Sequence, residues 1–403
     1  ARQVPIMDGE SCVLTVEAAQ NALKRLGRHP ITLQHAMLEL ALAEKNLSNI
    51  DDIAKFPNVM HLNISKNKLS SLSVLSNLPT LVELNASSNM LFECLEFSAP
   101  HCRPNYAWEE GHNSAGSLLT LADLSQNSIE ELRDLSDHRF LERLILHNNK
   151  ISSIKGLHGL KFLQVLDLSY NNITTIEGLD NLPIHTLKLR GNKITKLSGL
   201  DKLSNLSDLD VSENLIISLF PLEKCMNLTH LNVSSNQIQY IRQCDFLQNI
   251  KWLQVFIINN NPCEKKEFYR LRVLYRLPNL KVLDGVEACL ENKIRAFNLY
   301  HSPDGDLSQR EEVLRKYLAH VPFVDYSPQQ LPHDDEMDVP LIDLQDSNNT
   351  NEMTTNNETK NNENNKERMN NSIVVATAQE EVKNIVKIAL EQIVAEALEH
   401  MLP

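Results

Sequence analysis

His147, Asp167 and Ser169 have the side-chain types of a nucleophilic triad, and Asp208 with Asp210 offers two carboxylates at alternate positions of one short segment. A hydrolytic triad needs a base oriented by a third group in a buried shell, with oxyanion donors nearby. A calcium-like cation needs about six to eight oxygen ligands, far more than two carboxylates supply. Cys94, His101, Cys102, Trp108 and His112 also fall close together, but their spacing fits no common zinc pattern. No G-x-x-x-x-G-K-[ST] phosphate loop occurs in the chain, so nucleotide chemistry has no anchor. These residues read as solvated binding surface, and the expectation is no catalytic residue, no metal and no cofactor.

The elements that must position them come from an internal repeat. The phrase L-x-L-x-x-N-x-I-x-x-I recurs in HLNISKNKLSSL, RLILHNNKISSI, VLDLSYNNITTI, TLKLRGNKITKL, DLDVSENLIISL and HLNVSSNQIQYI. Its asparagines are Asn67, Asn89, Asn127, Asn149, Asn171, Asn192, Asn214, Asn236 and Asn261, most of them 22 residues apart. Within one unit Leu141, Leu144, Leu146, Ile151 and Ile154 point into a shared interior, and Asn149 turns inward to bond backbone of the neighbouring unit. A buried amide without partners costs about 1–3 kcal/mol, so such a series makes sense only when units stack. The 22-residue period gives a short strand on one side and a tight turn or short helix on the other, as in the leucine-rich class. The fold class is therefore an α/β solenoid, a right-handed arc with a parallel concave sheet.

Strand positions that alternate with the buried leucines should face the concave groove. They include Arg143, Ile145 and His147; Val165, Asp167 and Ser169; Thr186, Lys188 and Arg190; Asp208, Asp210 and Ser212; and His230, Asn232 and Ser234, with Ser65, Ser87 and Ser125 equivalent in earlier units. Arg143, Ile145, His147, Val165, Asp167, Lys188, Arg190, Asp208, Asp210 and His230 are the expected partner-binding residues, because apolar anchors among complementary charges are what protein interfaces use.

The sequence divides into a helical N-terminal cap (1–35), the repeats (36–262), a C-terminal repeat cap (263–300), a short helical extension (301–327), an Asn-rich disordered linker (328–371) and an amphipathic helix (372–403). The first cap is read as a helix over Leu14 to Leu26, ahead of a degenerate unit in which Lys45 stands at the asparagine position. The second is read from Asn261 to Gly285, with Phe268, Leu271, Leu274 and Leu277 on a helix and a last strand ending Leu283-Asp284. Asn89 and Asn127 are 38 apart, 16 more than the period, which places a loop-like insertion at 92–117. In the final helix Val382, Ile385, Val386, Ala389, Leu390, Ile393, Val394, Ala397 and Leu398 form one apolar stripe, suited to docking, to a coiled coil, or to packing on its own or a neighbouring chain.

Composition narrows the partners. A net charge of −13, from 52 acidic and 39 basic residues, argues against nucleic acid, which needs a clustered positive surface. Seven scattered cysteines without C-x-x-C spacing suggest a reducing compartment. No apolar run reaches bilayer-spanning length and no signal-like segment opens the chain, so a soluble intracellular protein without membrane contact is expected.

Several phrases carry a resemblance. Tyr269-Arg270, Val273-Leu274, Leu277-Pro278 and Leu283-Asp284 after 22-residue units resemble a leucine-rich-repeat group that includes a type 1 phosphatase regulator, a spliceosomal protein and axonemal proteins. The opening LTVEAAQNALKRLGRHPITLQHAMLELALAEKNLSNI, the phrase LVELNASSN and ENKIRAFNLYHSP are similar to ciliary leucine-rich-repeat proteins: the repeat region of a sperm-flagellar protein that also has a guanylate-kinase domain, and a radial-spoke protein. This resemblance implies axonemal partners in a cilium or flagellum, with phosphatase regulation as the alternative. The terminal stripe resembles an anchoring helix that binds a dimeric docking bundle like that of the protein kinase A regulatory subunit.

Overall fold

The computed structural model describes residues 12–28, 34–97 and 118–300. In chain order these give β1 (Cys12–Val13), α1 (Val16–Ala22), β2 (Leu23–Arg28), β3 (His35–Ala41), β4 (Leu47–Asn49), β5 (His61–Asn63), β6 (Glu83–Asn85), β7 (Leu121–Asp123), β8 (Arg143–Ile145), β9 (Val165–Asp167), β10 (Thr186–Lys188), β11 (Asp208–Asp210), β12 (His230–Asn232), β13 (Val255–Ile257), α2 (Tyr269–Arg276), β14 (Val282–Leu283), β15 (Val286–Glu287) and α3 (Leu290–Tyr300). Most are three residues long because a 22-residue circuit must travel out, turn and return, leaving no room for an α-helical crossover. The return path carries short 3-10 turns instead, such as Asp51–Lys55, Ser73–Asn77 and Phe220–Lys224.

One 13-stranded sheet runs in the order β15-β14-β13-β12-β11-β10-β9-β8-β7-β6-β5-β3-β2. Neighbours from β3 to β14 are parallel and in matched register, as in Arg143↔Val165, Leu144↔Leu166 and Ile145↔Asp167. β2 and β15 close the two ends antiparallel. Behind the sheet, Leu141, Leu144, Leu146, Ile151, Ile154, Leu157 and Leu160 of one unit are fully buried, and each neighbouring unit repeats the set.

The asparagines work as their spacing predicts. Asn149 Oδ1 accepts from the Ile129 N–H at 3.0 Å, and its Nδ2 donates to the Leu124 and Leu146 carbonyls at 3.0 Å each. Asn67, Asn171, Asn214 and Asn236 bridge consecutive units in the same way. The residue before each asparagine is left-handed, as at Lys66, Gln126, Asn148, Tyr170 and Glu213. That conformation costs about 1–2 kcal/mol for an L-residue. In return its N–H reaches the next unit, for example Asn148 N–H to the Ser169 carbonyl at 2.9 Å.

Both caps differ in detail from the expectation. The helix predicted over Leu14 to Leu26 spans only Val16–Ala22, started by Thr15 Oγ1 accepting from the Ala18 N–H. Leu23–Arg28 instead forms β2, because the exposed edge of β3 must be paired and helical spacing of leucines does not exclude a strand. At the other end Phe268 is the left-handed residue before α2 rather than part of it. Asp284 there is level with Ile257 of the preceding strand, and its Oδ1 accepts from the Ile258 and Asn259 N–H groups at 2.8 and 2.9 Å, where earlier units use a strand carbonyl, as in Val233 N–H to Ile257. Tyr269 donates its hydroxyl to Asp284 Oδ2 at 2.9 Å, and Arg270 donates to the carbonyls of Leu283, Val286 and Glu287. α3 follows where no helix was expected.

The inserted stretch also starts later than 92. Leu91, Cys94 and Phe97 occupy ordinary core positions of their unit, and Leu119 opens the next one. The extra residues therefore lie between Phe97 and Leu119. Cys94 is no loop ligand: burial pushes its thiol up to about 12, which keeps it neutral and inert. His101, Cys102, Trp108 and His112 lie outside the described residues, as do the 301–327 extension, the 328–371 linker and the 372–403 helix with its stripe from Val382 to Leu398.

Candidate protein-binding face

Each three-residue strand of the main sheet buries its middle residue, a leucine in most and Ala122 or Phe256 in β7 and β13, and turns its first and third residues outward. Arg143, Lys188, Arg190 and His230 are exposed, whereas Ile145, His147, Val165, Asp167, Asp208 and Asp210 are half-buried beside their neighbours. All ten expected binding residues thus lie outside the core.

The serines do not. Ser65, Ser125, Ser169 and Ser212 are buried, which corrects their placement on the groove. Strict alternation fails there because the strand has ended and the chain is already turning. The serine folds back on the polar residue two positions earlier: Ser125 donates both its N–H and Oγ to Asp123 Oδ1, at 3.0 and 2.6 Å, and Ser212 does the same to Asp210. Asn63 with Ser65, Asn85 with Ser87 and Asn232 with Ser234 form the same clip. Asp167 accepts from the Ser169 N–H at 3.0 Å.

The clips show where these polar side chains are engaged. Asp167 serves Ser169, and His147 Nδ1 pairs with the Asn148 amide at 3.0 Å, so histidine, aspartate and serine do not form a relay. Asp210 is likewise committed to Ser212. Among the described residues no group of three or more His, Cys, Asp or Glu side chains is arranged to hold a metal ion.

A second feature of this face escaped the sequence reading. Arg190 Nη2 meets Glu213 Oε1 at 2.6 Å, and its guanidinium sits 5.5 Å from the centroid of the Tyr170 ring. Gly191 makes room for that ring: a Cβ there would collide with Tyr170 Cδ1 and Cε1. The hydrogen bond from Arg190 holds the Glu213 carboxyl below its usual range. The available signal was the Gly in LKLRGNKITKL, since the other asparagines follow a non-glycine residue. Nearer the N-terminal end, Arg25, His61 and Glu83 form a chain of contacts at 3.3 and 2.9 Å.

On the opposite edge, Phe140 and Phe162 stack with centroids 5.7 Å apart, and Phe162 and Trp252 are exposed. No helix among the described residues is long and apolar enough to cross a membrane.

Comparison with known proteins agrees with this architecture. Residues 163–313 match the family model described as leucine-rich repeat, and residues 139–181 match a two-copy leucine-rich-repeat model. Dynein axonemal assembly factor 11 of Xenopus tropicalis is 39% identical over 74 residues, covering 18% of this chain and 16% of that protein. U2 small nuclear ribonucleoprotein A' of Arabidopsis thaliana is 31% identical over 123 residues, 30% of this chain and 49% of that protein. The matches thus span less than two thirds of either relative. Among solved structures, an internalin of Listeria monocytogenes aligns with a TM-score of 0.42 at 24% identity, over 63% of this chain and 84% of that one. A leucine-rich-repeat protein of Leptospira interrogans aligns with a TM-score of 0.43 at 21% identity, over 61% and 72%.

Proposed function

We propose that this leucine-rich-repeat solenoid is a non-enzymatic scaffold of the ciliary or flagellar axoneme that grips a structural or assembly partner through its sheet face. The observation that carries the reading is the row of outward side chains from β5 to β12, mixed in polarity, set on a rigid sheet and backed by a single core. Rigid aliphatic and charged positions on a regular lattice suit recognition of another protein's surface. The axonemal part rests on the ciliary resemblance of the flanks and on the likeness to a dynein axonemal assembly factor. The stripe from Val382 to Leu398 is proposed to recruit a second protein, a dimeric docking bundle of the kinase-A regulatory-subunit kind.

Two measurements test this. Tagged full-length chain expressed in ciliated cells should concentrate on axonemes. Diffuse signal together with co-purified type 1 phosphatase supports the regulatory-subunit alternative and contradicts the axonemal reading. A synthetic 378–402 peptide should capture the docking bundle, and equal capture by a scrambled peptide removes the recruiting role.

A further inference from the structure

Three residues ahead of each strand stands a position that borders the core. It carries Asn58 and Thr80 ahead of β5 and β6, and Asn205 and Asn227 ahead of β11 and β12. Ahead of β7, β8 and β9 it carries Leu118, Phe140 and Phe162 instead, with Pro183 next ahead of β10. Those strands are neighbours in register, so the side chains form one row, each about 5 Å from the next. The Phe140 and Phe162 rings stack with their planes 28° apart. Leu118 and Phe140 are half-buried, but Phe162 keeps 50% of its surface exposed. A phenyl ring stabilises through the water it sheds, so an outer ring left half wet forfeits much of that gain. Trp252 repeats the apolar choice ahead of β13, yet it stands alone between Asn227 and Asn279.

The row begins where the insertion ends. Residues 98–117 leave the repeat after the buried Phe97 and rejoin it at Leu118, the row's first member. They bring two aromatic side chains of their own, Tyr106 and Trp108. The ten residues from Trp108 to Leu118 span up to about 33 Å when extended, and the row itself is about 10 Å long, so both rings of the stack are within reach. From β5 to β14 no other neighbouring strands place two large apolar side chains together at this position. The longest unit of the repeat and its apolar row thus stand next to each other.

We infer that the insertion is a built part of the solenoid, docked through Tyr106 and Trp108 on the Phe140–Phe162 row, rather than a loop held out for a partner. Docking gives the outer ring the apolar contact that the repeat alone leaves missing. The inference does not rest on the scaffold reading, since it covers this edge and leaves the sheet face open.

The chain's two tryptophans make the test direct. They are Trp108 and Trp252, and Trp252 is exposed, so Trp252→Phe leaves Trp108 as the sole reporter in the full chain. Its emission should be blue-shifted and shielded from acrylamide relative to the same chain in urea, at every protein concentration. Adding Phe140→Ser and Phe162→Ser should shift the emission to the red and remove the shielding. Phe92→Ser, at an exposed phenylalanine in the unit before the insertion, should change neither. Cleavage by protease Glu-C after Glu109 and Glu110 gives a second readout, because it follows the undocked population. It should quicken about tenfold in the double serine variant, with circular dichroism checking that the repeats stay folded. Tyr106→Ser with Trp108→Ser should quicken it as much while touching no residue of the repeat core, so a folding defect at the rings cannot produce the same pair of results. Trp108 as open to acrylamide in the native chain as in urea overturns the inference, as does shielding or cleavage indifferent to Phe140 and Phe162. Shielding that appears only as the protein concentration rises overturns it too, and makes a second copy the occupant of the row.

Discussion

The smallest working part of this chain is a buried amide. Each Asn side chain in the ladder completes backbone groups of two units at once, so its removal strands partners on both sides. Asn149→Ala leaves the Ile129 N–H and the Leu124 and Leu146 carbonyls without their partner, and should cost about 2–3 kcal/mol in urea unfolding. Asn89, less buried than Asn149, should cost less when replaced the same way, and equal losses at both sites would contradict the ladder's dependence on burial. The thiols give a second residue-scale check. Burial holds Cys94 at about 12 and Cys225 at about 11, while Cys12 and Cys289 are exposed. At pH 8 a maleimide should label Cys12 and Cys289 within minutes and reach Cys94 and Cys225 only after denaturation, as mapped by mass spectrometry. The Arg190–Glu213 pair responds to pH in the opposite region. Its carboxyl is lowered in the folded chain, so its stabilisation is present above the ordinary glutamate value and disappears as pH falls through the folded one. Being exposed on both sides, the pair contributes less than about 1 kcal/mol.

At the scale of elements, the C-terminal cap substitutes one chemistry for another. Asp284 supplies a carboxylate where earlier units use a strand carbonyl, and Tyr269 and Arg270 fix the strand that carries it. Asp284→Ala removes the acceptor for two backbone N–H groups and a hydroxyl, whereas Tyr269→Phe removes one hydroxyl alone. Hydrogen exchange should therefore quicken over β13 and β14 strongly in the first variant and weakly in the second, with β5 to β8 unchanged, because each unit senses its neighbours and little else. Exchange that quickens evenly along the sheet would contradict that locality. This cap was legible in the sequence through Leu283-Asp284, and the ladder through its period, since both rest on polar groups that must be buried. The serines were not legible: alternation predicts orientation only while a strand lasts, and three residues end it before Ser125 or Ser212. The leucines of the N-terminal cap misled for a related reason, as Leu23 and Leu26 satisfy helical spacing yet belong to a strand required by the sheet edge. Alternation does place Arg143, Ile145, Val165 and Lys188 on the outer face, but the clips onto Asp123 and Asp210 appear only with side-chain geometry.

For the whole molecule, the governing quantity is the interface between successive units, and this has a consequence for length. Deleting residues 150–171 removes one 22-residue unit and joins Asn149 to Asn172, so the apolar set and the asparagine step continue in phase. The shortened chain should keep its circular dichroism per residue and unfold cooperatively at a somewhat lower urea concentration, having lost one stacking interface. Deleting residues 150–160 removes half a unit and brings outward positions onto inward ones. That chain should lose cooperative unfolding and expose apolar surface to a dye such as ANS.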